Sequence, residues 1–142
     1  MHKGDIIGGY EILKDFIVAG GMSKISFAKK NGIEYFIKEF LSPRFPVAGS
    51  PGSPATIEKR RKNCNEFENH HNKLNKEIAK KVAFGGNLVF AVDFFRANTS
   101  YYKVTEKIDI ASFSTADISK LTIDKILIIM KIIVAIYIVL FL

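Results

Sequence analysis

The dipeptide Asn31-Gly32 is the strongest local constraint on the fold. A two-residue hairpin needs positive φ at both central positions, and Asn-Gly reaches that conformation at low steric cost. The runs on either side, Ser23–Lys30 and Ile33–Leu41, read as strands, with Ile25, Phe27 and Lys29 on one face of the first. Upstream lies a second turn, Val18-Ala19-Gly20-Gly21-Met22-Ser23, which comes after the apolar run Tyr10–Val18. Three strands joined by two tight turns form an antiparallel meander.

Beyond the meander the chain is clearly punctuated. Ser42–Ala55 holds all four prolines (Pro43, Pro46, Pro51, Pro54) together with Gly49 and Gly52, and reads as an irregular loop. Thr56–Phe84 reads as one long helix. Its apolar stripe comprises Ile57, Cys64, Phe67, His71, Leu74, Ile78 and Val82. Thr56 is the expected N-cap, and Gly85-Gly86-Asn87 the expected stop. Leu88–Phe95 and Tyr101–Ile108 read as two further strands. The expected fold is therefore α+β: a five-stranded antiparallel sheet with one long packed helix, then a linker and an apolar helix. The expected divisions are a tail over 1–9, a lobe over 10–108 with its loop at 42–55, a linker over 109–121, and an apolar helix over 122–142.

Composition sets the outer bounds. The 142 residues allow one ordinary domain, and a 48% hydrophobic content with mean hydropathy +0.12 is ample for a core. A net charge of +7 admits an anionic partner or plain solubility. Cys64 is the single cysteine, which excludes an intrachain disulfide and a metal site built on paired cysteines. A polar start, Met1-His2-Lys3-Gly4-Asp5, does not read as a signal peptide. A cytoplasmic setting is expected.

Two elements carry chemistry. Gly20-Gly21 gives flexible backbone, which by itself is more often a structural turn than a phosphate cradle. Lys38, within Tyr35-Phe36-Ile37-Lys38-Glu39-Phe40, places a cation in an apolar strand. A buried cation needs an anionic partner or its pKa falls, whereas a lysine on a strand edge serves only to block aggregation.

The order strand, glycine turn, strand, lysine strand, helix, strand, strand resembles the small lobe of eukaryotic-type serine/threonine protein kinases, including bacterial ones. The resemblance spans about Tyr10 to Leu142. The family's loop reads G-x-G-x-x-G-x-V. Its glycine positions fall here on Val18, Gly20 and Ser23, and its valine on Ile25, so one glycine of three is kept, with Gly21 beside it. Tyr35-Phe36-Ile37-Lys38 aligns with the V-A-I-K strand, whose lysine grips the α- and β-phosphates of ATP. The resemblance thus implies an ATP site. Gly20, Gly21, Met22 and Ser23 would cover the phosphates, with Val18 and Ile25 beside them and Ile17 in the apolar roof. Lys38 would hold the phosphates. Phe36 stands where the family has a small alanine and would crowd the base.

A helix glutamate should orient Lys38, and the candidates are Glu66, Glu68 and Glu77. At 100° per residue Glu68 lies closest to the apolar stripe, roughly 75° from its centre, while the other two lie more than about 100° away. Val104-Thr105-Glu106-Lys107-Ile108 matches the hinge, with Thr105 as gatekeeper and Glu106 and Ile108 offering backbone groups to adenine. Asp93-Phe94-Phe95 lacks the glycine of D-F-G and precedes the hinge, so it is not the metal motif. H-R-D and D-F-G are absent, and phosphoryl transfer needs both. The resemblance therefore implies the ATP-binding lobe and first large-lobe helix of a truncated or degenerate kinase, without catalysis alone. Mg²⁺ is expected only with a large lobe.

The remaining features are less specific. Adjacent His70-His71 diverge by about 100° on a helix and do not make a metal pair. Glu58-Lys59-Arg60-Arg61-Lys62 reads as a solvated helix face, and no specific nucleic-acid partner is expected. Over Ile126–Leu142 the one charge is Lys131, and the uninterrupted apolar run 132–142 falls short of the roughly 20 residues that span a bilayer. Such a helix suits burial in a large lobe, self-association, a protein partner or membrane adhesion. Two rival readings remain: a pseudokinase-like interaction module that binds no nucleotide, and a small tail-anchored membrane protein.

Overall fold

The computed structural model describes residues 1–82, 89, 91–108 and 120–131. It divides into two units, Met1–Lys107 and Ile108–Leu142. Among the described residues the fold is α+β, with an antiparallel sheet and two helices. The first unit runs β1 (Ile6–Ile7), β2 (Tyr10–Ile12), β3 (Ile17–Ala19), β4 (Ser23–Lys30), β5 (Ile33–Phe40), α1 (Pro54–Val82), β6 (Ala91–Ala97) and β7 (Ser100–Glu106). The sheet order is β1-β2-β4-β5-β7-β6, and β3 also pairs with β4. In the second unit residues 123–131 form a helix, α2. The expected helix stop at 85–87, most of the linker over 109–121 and the apolar run 132–142 lie outside the described residues.

Among the described residues the sheet has seven strand segments where five were expected, for two local reasons. The expected strand Tyr10–Val18 is interrupted between β2 and β3, because the side chain of Asp15 is drawn out of the ladder. Its Oδ1 accepts a hydrogen bond from the Lys3 amide at 2.9 Å. Both halves still pair with β4, through Glu11↔Lys29 and Ile12↔Ala28 on one side and Ile17↔Ile25 on the other. The second addition is β1. Residues 1–9 were expected as a tail, yet Gly8 and Gly9 adopt φ of +58° and +82° and fold Ile6–Ile7 back onto β2. Met1 is consequently buried in the core.

The Asn31-Gly32 turn forms as the sequence requires, with φ of +52° and +82°, closing the ladder at Lys30↔Ile33. Asn98, at φ +55°, makes the equivalent turn between β6 and β7. The helix starts earlier than expected. Ser53, not Thr56, is the cap: its Oγ accepts the Thr56 amide at 3.2 Å, and Pro54 occupies the first helical position.

Each face of the sheet has its own packing. One face buries Tyr10, Ile12, Ala28, Ile37, Tyr102 and Val104 with Met1. Each large side chain among these contributes about 1.5–3 kcal/mol by leaving water. The other face receives α1. There Phe40, Phe94 and Tyr101 of the sheet meet Phe67 and His71 of the helix, with Phe40–Phe67 and Phe67–Tyr101 centroids both 5.2 Å apart. From Cys64 to Ile78 the predicted apolar stripe is thus the docked one, with Cys64 and Ile78 fully or nearly buried. Asn75 fixes the register of helix on sheet. Its Nδ2 donates to the Ala91 carbonyl, and its Oδ1 accepts the Ala91 amide, both at 2.8 Å.

Candidate functional site

Antiparallel register places directly opposed residues on the same face. On the helix side, three cross-strand rows result. The first is Ala19–Ser23–Phe40–Tyr101–Arg96. The second is Ile17–Ile25–Lys38–Lys103–Phe94, and the third contains Phe27–Phe36–Thr105. Ile25, Lys38 and Thr105, selected from the sequence, therefore share one face. Val18 does not: it opposes Lys24 and points the other way, well exposed.

The glycine turn sits at the end of these rows. Gly20 and Gly21 have φ of +59° and +69°, and no atom lies within 4 Å of where a Cβ would project from either. The backbone there is accessible to a ligand. The turn is held at its base. Ser23 Oγ donates to the Ala19 carbonyl at 3.1 Å, and the Met22 carbonyl accepts the Leu41 amide at 3.1 Å. Met22 itself is exposed.

Lys38 is half-buried, its ammonium 5.0 Å from the centre of the Phe40 ring. Among the described residues it makes no ion pair, and neither does Glu68. The structure therefore does not join these two. Glu68 is the half-buried member of the three candidate glutamates; Glu66 and Glu77 are exposed and pair with Lys62 and Lys80. The Glu68 charge instead bears on Tyr101, whose hydroxyl is pushed up to about 12, chiefly by burial.

Sequence reasoning missed Lys103. It opposes Lys38 on the neighbouring strand, and burial, with the Lys38 charge second, lowers its pKa. His71 faces both lysines. It stacks on Phe94 at 4.9 Å, and burial holds its pKa down at about 4, aided by the charges of Lys103, His70 and Lys38. The alternation Tyr101, Lys103, Thr105 carried the signal, once β7 was known to lie beside β5.

At the far end of the rows, Phe27 and Phe36 meet edge-on with centroids 6.1 Å apart beside Thr105. Lys107 closes this end with an ion pair to Glu34 at 2.7 Å. The Glu106 side chain lies in line with Tyr35 on the opposite face, so only its backbone is available to the helix side. Ile108 belongs to the second unit.

A buried cluster on the opposite face was also missed. Glu39 Oε1 accepts from Arg44 Nη1 at 3.2 Å and from Ser100 Oγ at 2.9 Å. This pairing satisfies a buried carboxylate and fastens the loop after β5 to the β6–β7 turn. Asp93 also lies on that face and accepts a hydrogen bond from the Tyr10 hydroxyl at 3.1 Å. That bond ties β6 to β2 across the sheet face.

Among the described residues, no group of three or more His, Cys, Asp or Glu side chains converges as a metal site. None of their helices is long and apolar enough to cross a membrane. No protein-family model matches the chain, and no curated protein matches it either.

Proposed function

We propose that this chain is a nucleotide-binding lobe of the serine/threonine protein kinase type, which takes ATP on the helix side of its sheet. One observation carries the reading. A single cross-strand row joins Ile17 and Ile25, beside an open glycine turn, to a half-buried Lys38 that no carboxylate among the described residues neutralises. Flexible unblocked backbone next to an uncompensated cation suits a phosphate chain. Gly20, Gly21, Met22 and Ser23 would lie over the phosphates, Lys38 would bind them, and Thr105 and Glu106 would border the base. Bound ATP would supply a transferable phosphoryl group. This chain's residues bind and orient it, and they include no H-R-D base.

A second reading has its own observation. Phe36 and Phe27 fill the space beside Thr105, and Glu68 is not paired with Lys38. The same lobe would then serve as an interaction module without nucleotide.

The deciding experiment is titration of the purified chain with ATP, tracked by fluorescence of a labelled analogue and by thermal shift. Saturable binding, weakened at least tenfold in Lys38→Met, supports the nucleotide lobe. Absence of binding at millimolar ATP overturns it in favour of the interaction module.

A further inference from the structure

Lys38 and Lys103 are direct cross-strand partners on one face. Like charges so placed repel, and a sheet ordinarily avoids them. Both side chains are half-buried, so water screens the repulsion only in part. Among the described residues neither lysine makes an ion pair. The nearby imidazole of His71 stays neutral at physiological pH and offers no negative charge. Glu39, adjacent in sequence to Lys38, points to the opposite face and is engaged by Arg44 and Ser100. Lys103 also borders a small crevice of about 10 Å³, room for about one water, whose other walls include His71, Asn75 and Phe94. Arg44 and Arg60, which line the cleft beside Cys64, already donate to the Leu41 and Pro51 carbonyls.

We propose that Lys103 is a second phosphate-binding residue, forming with Lys38 a two-lysine seat for the polyphosphate of a nucleoside triphosphate. An anion between the two ammonium groups would replace their repulsion with two attractions. The pair is then a cost in the empty protein and an advantage in the loaded one. Two cations also favour a chain of several charges over a monophosphate. The inference rests on the nucleotide-lobe reading for the identity of the ligand, but the seat itself recognises phosphate alone.

The test is isothermal titration calorimetry on the full chain with ATP, AMP and inorganic tripolyphosphate. Lys38→Met, Lys103→Met and Lys24→Met are compared with the wild type. Lys24 lies on the opposite face, over the Phe16 ring, and controls for net charge. ATP and tripolyphosphate should bind the wild type much more tightly than AMP. Each should weaken at least tenfold in Lys38→Met and in Lys103→Met, and less than twofold in Lys24→Met. In the absence of ligand, Lys103→Met should raise the urea midpoint, which a merely structural lysine would lower. ATP binding that depends on Lys38 but not on Lys103 overturns the seat and leaves the nucleotide lobe standing. Equal binding of tripolyphosphate and ATP, lost in both variants, keeps the seat and removes the nucleotide specificity. Failure of both polyphosphates to bind overturns the seat.

Discussion

Replacing Gly8 by alanine tests how the N-terminal hairpin is built, and a second glycine supplies its control. Gly8 has φ +58°, and a Cβ there would sit 2.3 Å from Phe95 Cε2 and 2.4 Å from Cζ. Gly20 has nearly the same φ, +59°, with nothing within 4 Å. Both substitutions incur the left-handed penalty of about 1–2 kcal/mol. Only Gly8→Ala must also displace a ring. Phe95 is stacked between Tyr10 and Tyr102, with centroids 5.9 and 5.5 Å away, so it cannot move without disturbing the core. Overpacking of this kind adds about 1–3 kcal/mol. Gly8→Ala should therefore cost about 2–5 kcal/mol and Gly20→Ala about 1–2 kcal/mol, as measured by urea unfolding with unchanged m. In a Phe95→Leu background the excess at Gly8 should shrink, since the crowding atoms are gone. Equal losses at the two glycines, or an excess that persists without the ring, would refute the steric account.

Two further predictions concern the helix. Asn75→Ala removes both hydrogen bonds to the Ala91 backbone and should lower stability by about 1.5–3 kcal/mol; amide exchange at Ala91 should accelerate out of proportion to β4 and β5. His71 gives a pH signature. Its pKa falls from 6.5 to about 4 on folding, so the unfolded chain takes up a proton that the folded chain refuses. The resulting stability is complete above pH 6.5 and is lost as pH falls through about 4. A drop of that size corresponds to ~3 kcal/mol, and partial solvent access reduces it to ~1–2 kcal/mol. Urea midpoints of the wild type should thus fall more steeply over this window than those of His71→Phe; parallel profiles would refute the assignment.

Local chemistry made much of this fold legible. Asn31-Gly32 dictated the β4–β5 hairpin because its backbone preference is nearly independent of context. The stripe through Cys64, Phe67, His71 and Ile78 located the buried face of α1 because helical periodicity is rigid. Gly8-Gly9 reads as a break rather than a turn because Ile6–Ile7 is too short to show alternation. Ser53 escapes notice as a cap because the proline behind it suggests loop, although proline suits the first helical turn. The site was harder to read. Lys38 stands out within one strand, but Lys103 gains meaning only from β7 lying against β5, a pairing between distant segments. Likewise Glu39 and Ser100 meet across that same strand pair, and neither neighbourhood hints at the other. Helical angles single out Glu68 as the most inward glutamate, yet they carry no information on which sheet residue it would face.

The buried cluster on the face away from α1 draws Met1 and residues of β2, β4, β5 and β7 and, among the described residues, nothing from α1. The helix rests instead on a separate aromatic layer and on the Asn75 clasp. Detachment of α1 would therefore leave the strand interior intact, and the unit can open in two tiers rather than one. The same separation gives substitutions unequal reach. Changes along α1 tune how firmly the helix is seated over Lys38 and Lys103, while the strands beneath keep those lysines in register.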